Sequence, residues 1–115
     1  MEESLLVKLF GDTPLILVVD FLIENSIFDY TKTEIAENAT ISRASLYKVW
    51  PVLERFELVK PSRKIGNTTL YKLNKENPVV QELIELDLKL SMEFAGSLEE
   101  KKEALAKPGP ASSVP

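Results

Sequence analysis

Residues 31–73, TKTEIAENATISRASLYKVWPVLERFELVKPSRKIGNTTLYKL, decide the fold because they set helix starts, a turn and a hairpin signal in one unbroken order. Thr31-Lys32-Thr33-Glu34 is a capping box, in which Thr31 caps forward and Glu34 reaches back to the cap N–H. The helix it starts is short, because Asn38-Ala39-Thr40 reads as a turn. Ser42 caps a second helix running through Arg43, Tyr47 and Lys48 toward Phe56. Pro51 removes one N–H and crowds the carbonyl of Tyr47, so a kink or division is expected near Trp50. After Leu58 the period changes to that of strands over residues 59–64 and 68–73. Ile65-Gly66-Asn67 joins them, and glycine and asparagine both tolerate the positive φ of a tight hairpin.

Working outward, Leu5, Leu6, Leu9 and Phe10 fall at helical spacing before Gly11. Asp12 or Thr13 caps a second helix with Pro14 just inside its start, and this helix is apolar nearly all round to about Asn25, which predicts a central, buried element. Ile27, Phe28 and Tyr30 form a short extended piece. Asn77-Pro78 opens a long helix that Gly96-Ser97 breaks, and residues 97–106 and 107–115 read as a helical stub and a flexible tail. The fold class is mostly α with a small β-hairpin (α+β): a winged helix-turn-helix over residues 1–95, with its motif at 31–56, its wing at 58–73 and flanking N- and C-terminal dimerisation helices, followed by residues 96–115.

Ile35 and Ala36 face inward, as does a stripe of Leu46, Val49, Trp50, Leu53 and Phe56 on the second helix of the motif. Ala44, Lys48 and Arg55 lie opposite that stripe, with Arg43, Ser45 and Tyr47 on its flanks. Small, polar and basic residues suit a helix entering a major groove, so Arg43, Ser45, Tyr47 and Lys48 are the candidate base readers of double-stranded DNA. Thr33, Ser42, Lys60, Arg63, Lys64, Thr68 and Lys72 are the candidate phosphate contacts. Charge agrees with this division although the chain carries a net −4. Residues 1–30 hold one lysine against six acids, residues 31–75 nine basic residues against four acids, and residues 76–115 four lysines against eight acids. A polyanion would be met by the middle third alone.

The stretch TEIAENATISRASLYKVWPVLERFELVKPSRKIGNTTLYKLN resembles the DNA-binding core of small archaeal winged-helix transcriptional regulators, MarR-like in the broad sense. The resemblance spans roughly residues 9–95, and its most telling pieces are ISRASLYK for the reading helix and RKIGNTTLYKLN for the wing. It implies a homodimer on a roughly palindromic operator. Such sequences carry glycine where Glu57 stands, which argues against a left-handed helix cap there.

Dimerisation is also expected from the residues themselves. The helix after Pro78 carries one apolar set at 79, 83, 86 and 90 and a second at 80, 84 and 88, more than one core-facing stripe requires. Val80, Ile84 and Leu88, with Leu5, Leu6, Leu9 and Phe10, are the candidate interface. The chain has no cysteine and no histidine, which excludes disulfides, thiol chemistry and imidazole mechanisms. No phosphate-cradling glycine motif and no paired carboxylates on a buried face are recognisable, so no enzyme, cofactor or metal site is expected, and no polar cluster marks an effector pocket. The longest apolar run, residues 15–19, falls far short of the roughly 20 residues of a spanning helix, and a cytoplasmic location is the expectation. Two alternatives use the same fold differently: a protein-interaction module whose basic face meets an acidic partner, and a dimerisation adaptor acting through the acidic flanks.

Overall fold

The computed structural model describes residues 4–95; the expected stub and tail at 96–115 lie outside the described residues. Its elements are α1 (Leu5–Phe10), α2 (Pro14–Glu24), α3 (Lys32–Ala39), α4 (Arg43–Arg55), β1 (Val59–Ile65), β2 (Thr68–Leu73) and α5 (Pro78–Leu90), ending in a π-helical turn, Ser91–Ala95. Each α-helix starts on a side-chain cap: Ser4, Thr13, Thr31, Ser42 and Asn77 each accept a backbone N–H from the first turn. The capping box at Thr31 and Glu34 is complete in both directions. Pro14 and Pro78 occupy first-turn positions, where a missing N–H removes no bond.

The core gathers on α2. Val18 and Leu22 pack with Ile35, Leu46, Leu53 and Val80, all essentially inaccessible, and α1 adds Leu6. The hairpin closes one side through Leu58, Val59 and Leu73. β1 and β2 pair antiparallel from Val59↔Leu73 to Ile65↔Thr68, with an irregularity between Pro61 and Arg63. On the other side of β2, Tyr30 and Tyr71 exchange both backbone bonds at 2.8 and 2.7 Å. Because Tyr71 spends its N–H and C=O on Tyr30, Pro61 stands opposite it without depriving the ladder of a donor. The extended piece expected at residues 27–30 is reduced to that one bridge, and Ile27 and Phe28 are exposed.

Three expectations fail for physical reasons. Pro51 does not divide its segment: α4 runs unbroken from Arg43 to Arg55, because Leu46, Trp50 and Leu53 hold the buried stripe on both sides of an exposed proline. Phe56 is 58% exposed rather than part of that stripe, since the chain reverses immediately after it. Leu6 and Val80, expected at a dimer interface, are 1% and 0% exposed in the chain's own core and offer nothing to a second copy.

The reversal after α4 corrects the reading of Glu57, which takes the left-handed conformation at φ 55°. Leu58 N–H donates to the Leu53 carbonyl and Glu57 N–H to that of Glu54, the paired bonds of a Schellman motif. Thr40 ends α3 in the same way at φ 63°, with Ile41 N–H on Ala36 O and Thr40 N–H on Glu37 O. Asn74 and Asn77 side-chain amides donate to the Glu57 carbonyl at 3.0 and 2.8 Å, and Asn77 also reaches that of Phe56 at 2.8 Å. A residue with a Cβ is strained in this conformation by about 1–2 kcal/mol. Glu57→Gly should therefore raise stability by about 0.5–1 kcal/mol after the entropy cost of glycine. Urea melts check this, and an unchanged or lower midpoint would show that the Glu57 side chain contributes more than its strain removes.

Candidate nucleic-acid interface

The face of α4 opposite its buried stripe carries Arg43, Ala44, Tyr47 and Lys48, all exposed. No acid stands between Arg43 and Leu53, and neither Arg43 nor Lys48 has a carboxylate partner among the described residues. Ser42 and Ser45 do other work. The Ser42 hydroxyl accepts the Ser45 N–H at 3.0 Å and donates to the Ser45 hydroxyl at 3.1 Å, so both serve the helix start. Ser45 is only half-exposed.

The hairpin turns through Gly66 and Asn67 alone, and only Gly66 has positive φ, at 62°. A positive value at the first turn position and not the second is the pattern of a type II′ turn. Its basic residues divide into two kinds. Arg63 forms a forked pair with Asp29, Nε to Oδ2 at 2.8 Å and a terminal guanidinium nitrogen to Oδ1 at 3.2 Å, while Ser62 Oγ donates to Oδ2 at 2.7 Å. Arg63 hydrogen bonding, then that of Ser62, holds the Asp29 carboxyl down to about 2. Lys60 lies 3.5 Å from Glu76. These two cations, expected on phosphates, each have a carboxylate partner, Arg63 the half-buried Asp29 of the α2–α3 loop and Lys60 the exposed Glu76. Lys60 and Lys72 are cross-strand partners, so Glu76 also relieves a like-charge contact. Lys64 and Thr68 remain exposed and Lys72 half-exposed, none with an acid beside it.

Sequence reasoning missed Lys32. Its Nζ sits 4.8 Å from the Trp50 ring centroid, 5.6 Å from that of Tyr71 and 5.9 Å from that of Tyr47. Trp50 and Tyr71 meet edge-on at 4.9 Å, and the buried Trp50 N–H has no hydrogen-bond partner. Lys32, Thr31 and Thr33 line one wall of an open cleft of about 300 Å³, and Asn67, Thr68, Thr69 and Tyr71 line the other. The rings come from α4 and β2, so nothing local to Lys32 signals them.

A second cluster also escaped the sequence reading, which expected no paired carboxylates on a buried face. Asp20 and Glu24, one turn apart on α2, meet Asp87 of α5 with carboxylate oxygens all within 4.8 Å. Asp20 accepts from Ser4 Oγ at 2.7 Å. Burial, then the charges of Asp87 and Asp20, pushes Glu24 up, and burial, then Asp20, pushes Asp87 up. The i, i+4 spacing of Asp20 and Glu24 was visible, but their partner is far away in sequence.

No family model and no curated protein sequence matches this chain. Solved structures do. The crystal structure of Lactococcus lactis ZitR, a zinc-responsive MarR family member, superposes with a TM-score of 0.54 at 23% identity over 74% of this chain and 60% of that one. Wild-type ZitR in complex with DNA gives 0.52 at 21% identity, over 79% and 67%. MepR, a transcription regulator of the Staphylococcus aureus multidrug efflux pump MepA, gives 0.56 at 14% identity, over 88% and 77%. At these identities the likeness establishes the fold, a winged helix-turn-helix in which α3 and α4 form the motif and β1–β2 the wing. Among the described residues no helix is long and apolar enough to cross a membrane.

The two carboxylate sites act oppositely on stability. Glu24 and Asp87 bind protons more tightly folded than unfolded, so they lower stability above their raised folded values, and the deficit vanishes as pH falls toward the ordinary carboxylate range. Asp29 stabilises above its ordinary value and loses that contribution as pH falls from there to about 2. Asp87→Asn should raise the melting temperature at pH 7 by a few degrees, the equivalent of about 0.5 kcal/mol, with the gain shrinking toward pH 4. Thermal melts across pH test this, and a gain that persists unchanged in acid would remove charge repulsion as its cause.

Proposed function

We propose that the protein is a cytoplasmic, non-enzymatic regulator of transcription that binds specific double-stranded DNA sequences as a homodimer. The observation that carries this reading is the exposed face of the first turns of α4, with no acid from Arg43 to Leu53, where Arg43 and Lys48 stand beside Tyr47 with no carboxylate partner among the described residues. Two long cations with no anion partner among the described residues seek an external one, and the second helix of the motif is the element this fold inserts in the major groove. The ZitR–DNA complex shows that a protein of the same fold binds DNA. Arg43, Tyr47 and Lys48 approach base edges, with Ser45 holding the helix start beneath them. Lys64, Thr68, Lys72 and Thr33 lie along phosphates, while Arg63 and Lys60 keep the wing in place.

Dimerisation is supported by what the monomer leaves uncovered at its helical end. Leu9 and Phe10 of α1, Leu88 of α5 and Met92 and Phe94 of the π-helical turn are each at least half exposed. Leu5 and Ile84 are half-buried at the edge of the same elements. Side chains of this size are seldom left exposed in such number on two packed helices without a partner.

Anisotropy titrations with mixed genomic duplex fragments between about 50 and 200 mM salt test the reading, since counterion release makes phosphate contacts salt-dependent. Binding should weaken steeply with salt and fail in Arg43→Ala/Lys48→Ala. Arg43→Ala alone should cost about 1–3 kcal/mol on the preferred site and relax preference there. Lys64→Ala should reduce the salt slope by about 1.8, roughly 0.9 for each protomer of the dimer, whereas Arg63→Ala should leave the slope in place while loosening the wing. A folded, dimeric protein that binds no duplex at the lowest salt, yet binds an acidic protein, would overturn the DNA reading in favour of an interaction module.

A further inference from the structure

The geometry points to Lys32 and the threonine-lined cleft beside it as a seat for one backbone phosphodiester of the bound duplex, between the start of α3 and the wing. This assignment rests on the DNA-binding reading above and adds Lys32, as the charged group of one seat, to the phosphate contacts of Thr33 and Thr68.

Three observations carry it. First, Lys32 is held without being neutralised. Its ammonium lies over Trp50, Tyr71 and Tyr47 at 4.8, 5.6 and 5.9 Å, and no carboxylate pairs with it among the described residues. Aromatic faces attract a cation through their quadrupoles but leave its full charge in place for an anion. Arg63 and Lys60, by contrast, are bound to Asp29 and Glu76. Secondly, the cleft is lined by Thr31, Lys32, Thr33, Asn67, Thr68, Thr69 and Tyr71, polar residues and one cation with no acid among them. Thr31 Oγ1 accepts the Glu34 N–H, which leaves its own O–H to donate outward. The acid in the first turn of α3, Glu34, is turned to the Thr31 N–H at 2.9 Å. Thirdly, the cleft has the reading helix and the wing for neighbours. Tyr47, on the exposed face of α4, contacts Lys32 from one side, and the wing turn supplies Asn67 and Thr68 from the other. A single negative group flanked by ester oxygens fits such a lining, because one ammonium balances one phosphodiester charge and hydroxyls serve its remaining oxygens.

Trp50 is the only tryptophan in the chain and lies on α4 under the Lys32 ammonium, so its emission reports on this region of the duplex face. The test compares wild type, Lys32→Met and Lys32→Arg on the same duplex fragments, following anisotropy and Trp50 emission together. Methionine keeps an unbranched stem over the rings without the charge, and equal melting temperatures confirm that packing survives. Loss of one phosphate contact per protomer, two per dimer, should lower the salt slope by about 1.8 and the affinity by roughly sixtyfold near 0.1 M salt, with Lys32→Arg retaining both. At saturating duplex, Trp50 emission should shift further in wild type than in Lys32→Met. Wild-type binding matched by Lys32→Met in affinity, slope and emission overturns the assignment and leaves the DNA reading standing. An equal emission response to inorganic phosphate alone would make the cleft a free-anion site and overturn its assignment to the duplex backbone. No duplex binding by wild type overturns both.

Discussion

The reversal at Glu57 fixes where the wing stands relative to the helix it accompanies. A hairpin is useful beside α4 only if its base is rigid, and a two-stranded ribbon is not rigid by itself. Here the carbonyls of Phe56 and Glu57, the two residues that follow α4, are taken by Asn74 and Asn77, which follow β2 and precede α5. Asn77 also caps α5 through Val79 N–H at 2.9 Å. One asparagine thus joins the end of α4, the exit of the wing and the start of α5. Leu53 and Leu58, both buried, close the same turn from the apolar side. The left-handed strain at Glu57 is tolerated because so many bonds specify the turn.

A second constraint acts on the wing from its outer edge. Asp29, in the loop between α2 and α3, grips Ser62 and Arg63 beside the irregularity in β1. The wing is therefore pinned at the base by asparagine amides and midway by an ion pair, leaving only its tip unattached. That division explains why basic residues of the same sequence neighbourhood have different roles. A cation beside a carboxylate has its charge spent on architecture, and a cation over aromatic rings or facing solvent retains it. Net charge per segment cannot separate these cases, because it counts Arg63 and Lys64 alike.

What was legible in the sequence was whatever depends on neighbours within one turn. The caps at Thr13, Thr31 and Ser42, the first-turn Pro14 and the hairpin at Gly66 all follow from local chemistry, and each stands where that chemistry puts it. The inward face of α4 was legible through Leu53 and failed at Phe56, one residue past the helix, where periodicity no longer applies. The apolar surplus on α5 was visible, but its assignment between core and surface was not. Val80 sits at the closure of the core, a fact set by where α1 and α2 lie rather than by spacing on α5. Lys32 and Asp87 were invisible as site residues for the same reason: their partners arrive from other elements.

The acidic flanks of an otherwise DNA-suited chain also find a physical place here. Asp20, Glu24 and Asp87 face one another across α2 and α5, away from α4 and the wing in sequence and in element. Their repulsion opposes the docking of α5, whose attachment to the core is one fully buried valine and a row of half-buried leucines and isoleucine. A helix held this lightly, and still exposing Leu88, gains most from burial against a second copy. In the proposed dimer the same surface would then serve twice. It would complete the hydrophobic cover that the monomer lacks, and it would fix the spacing of two reading helices, which is what converts two weak half-site contacts into one specific complex.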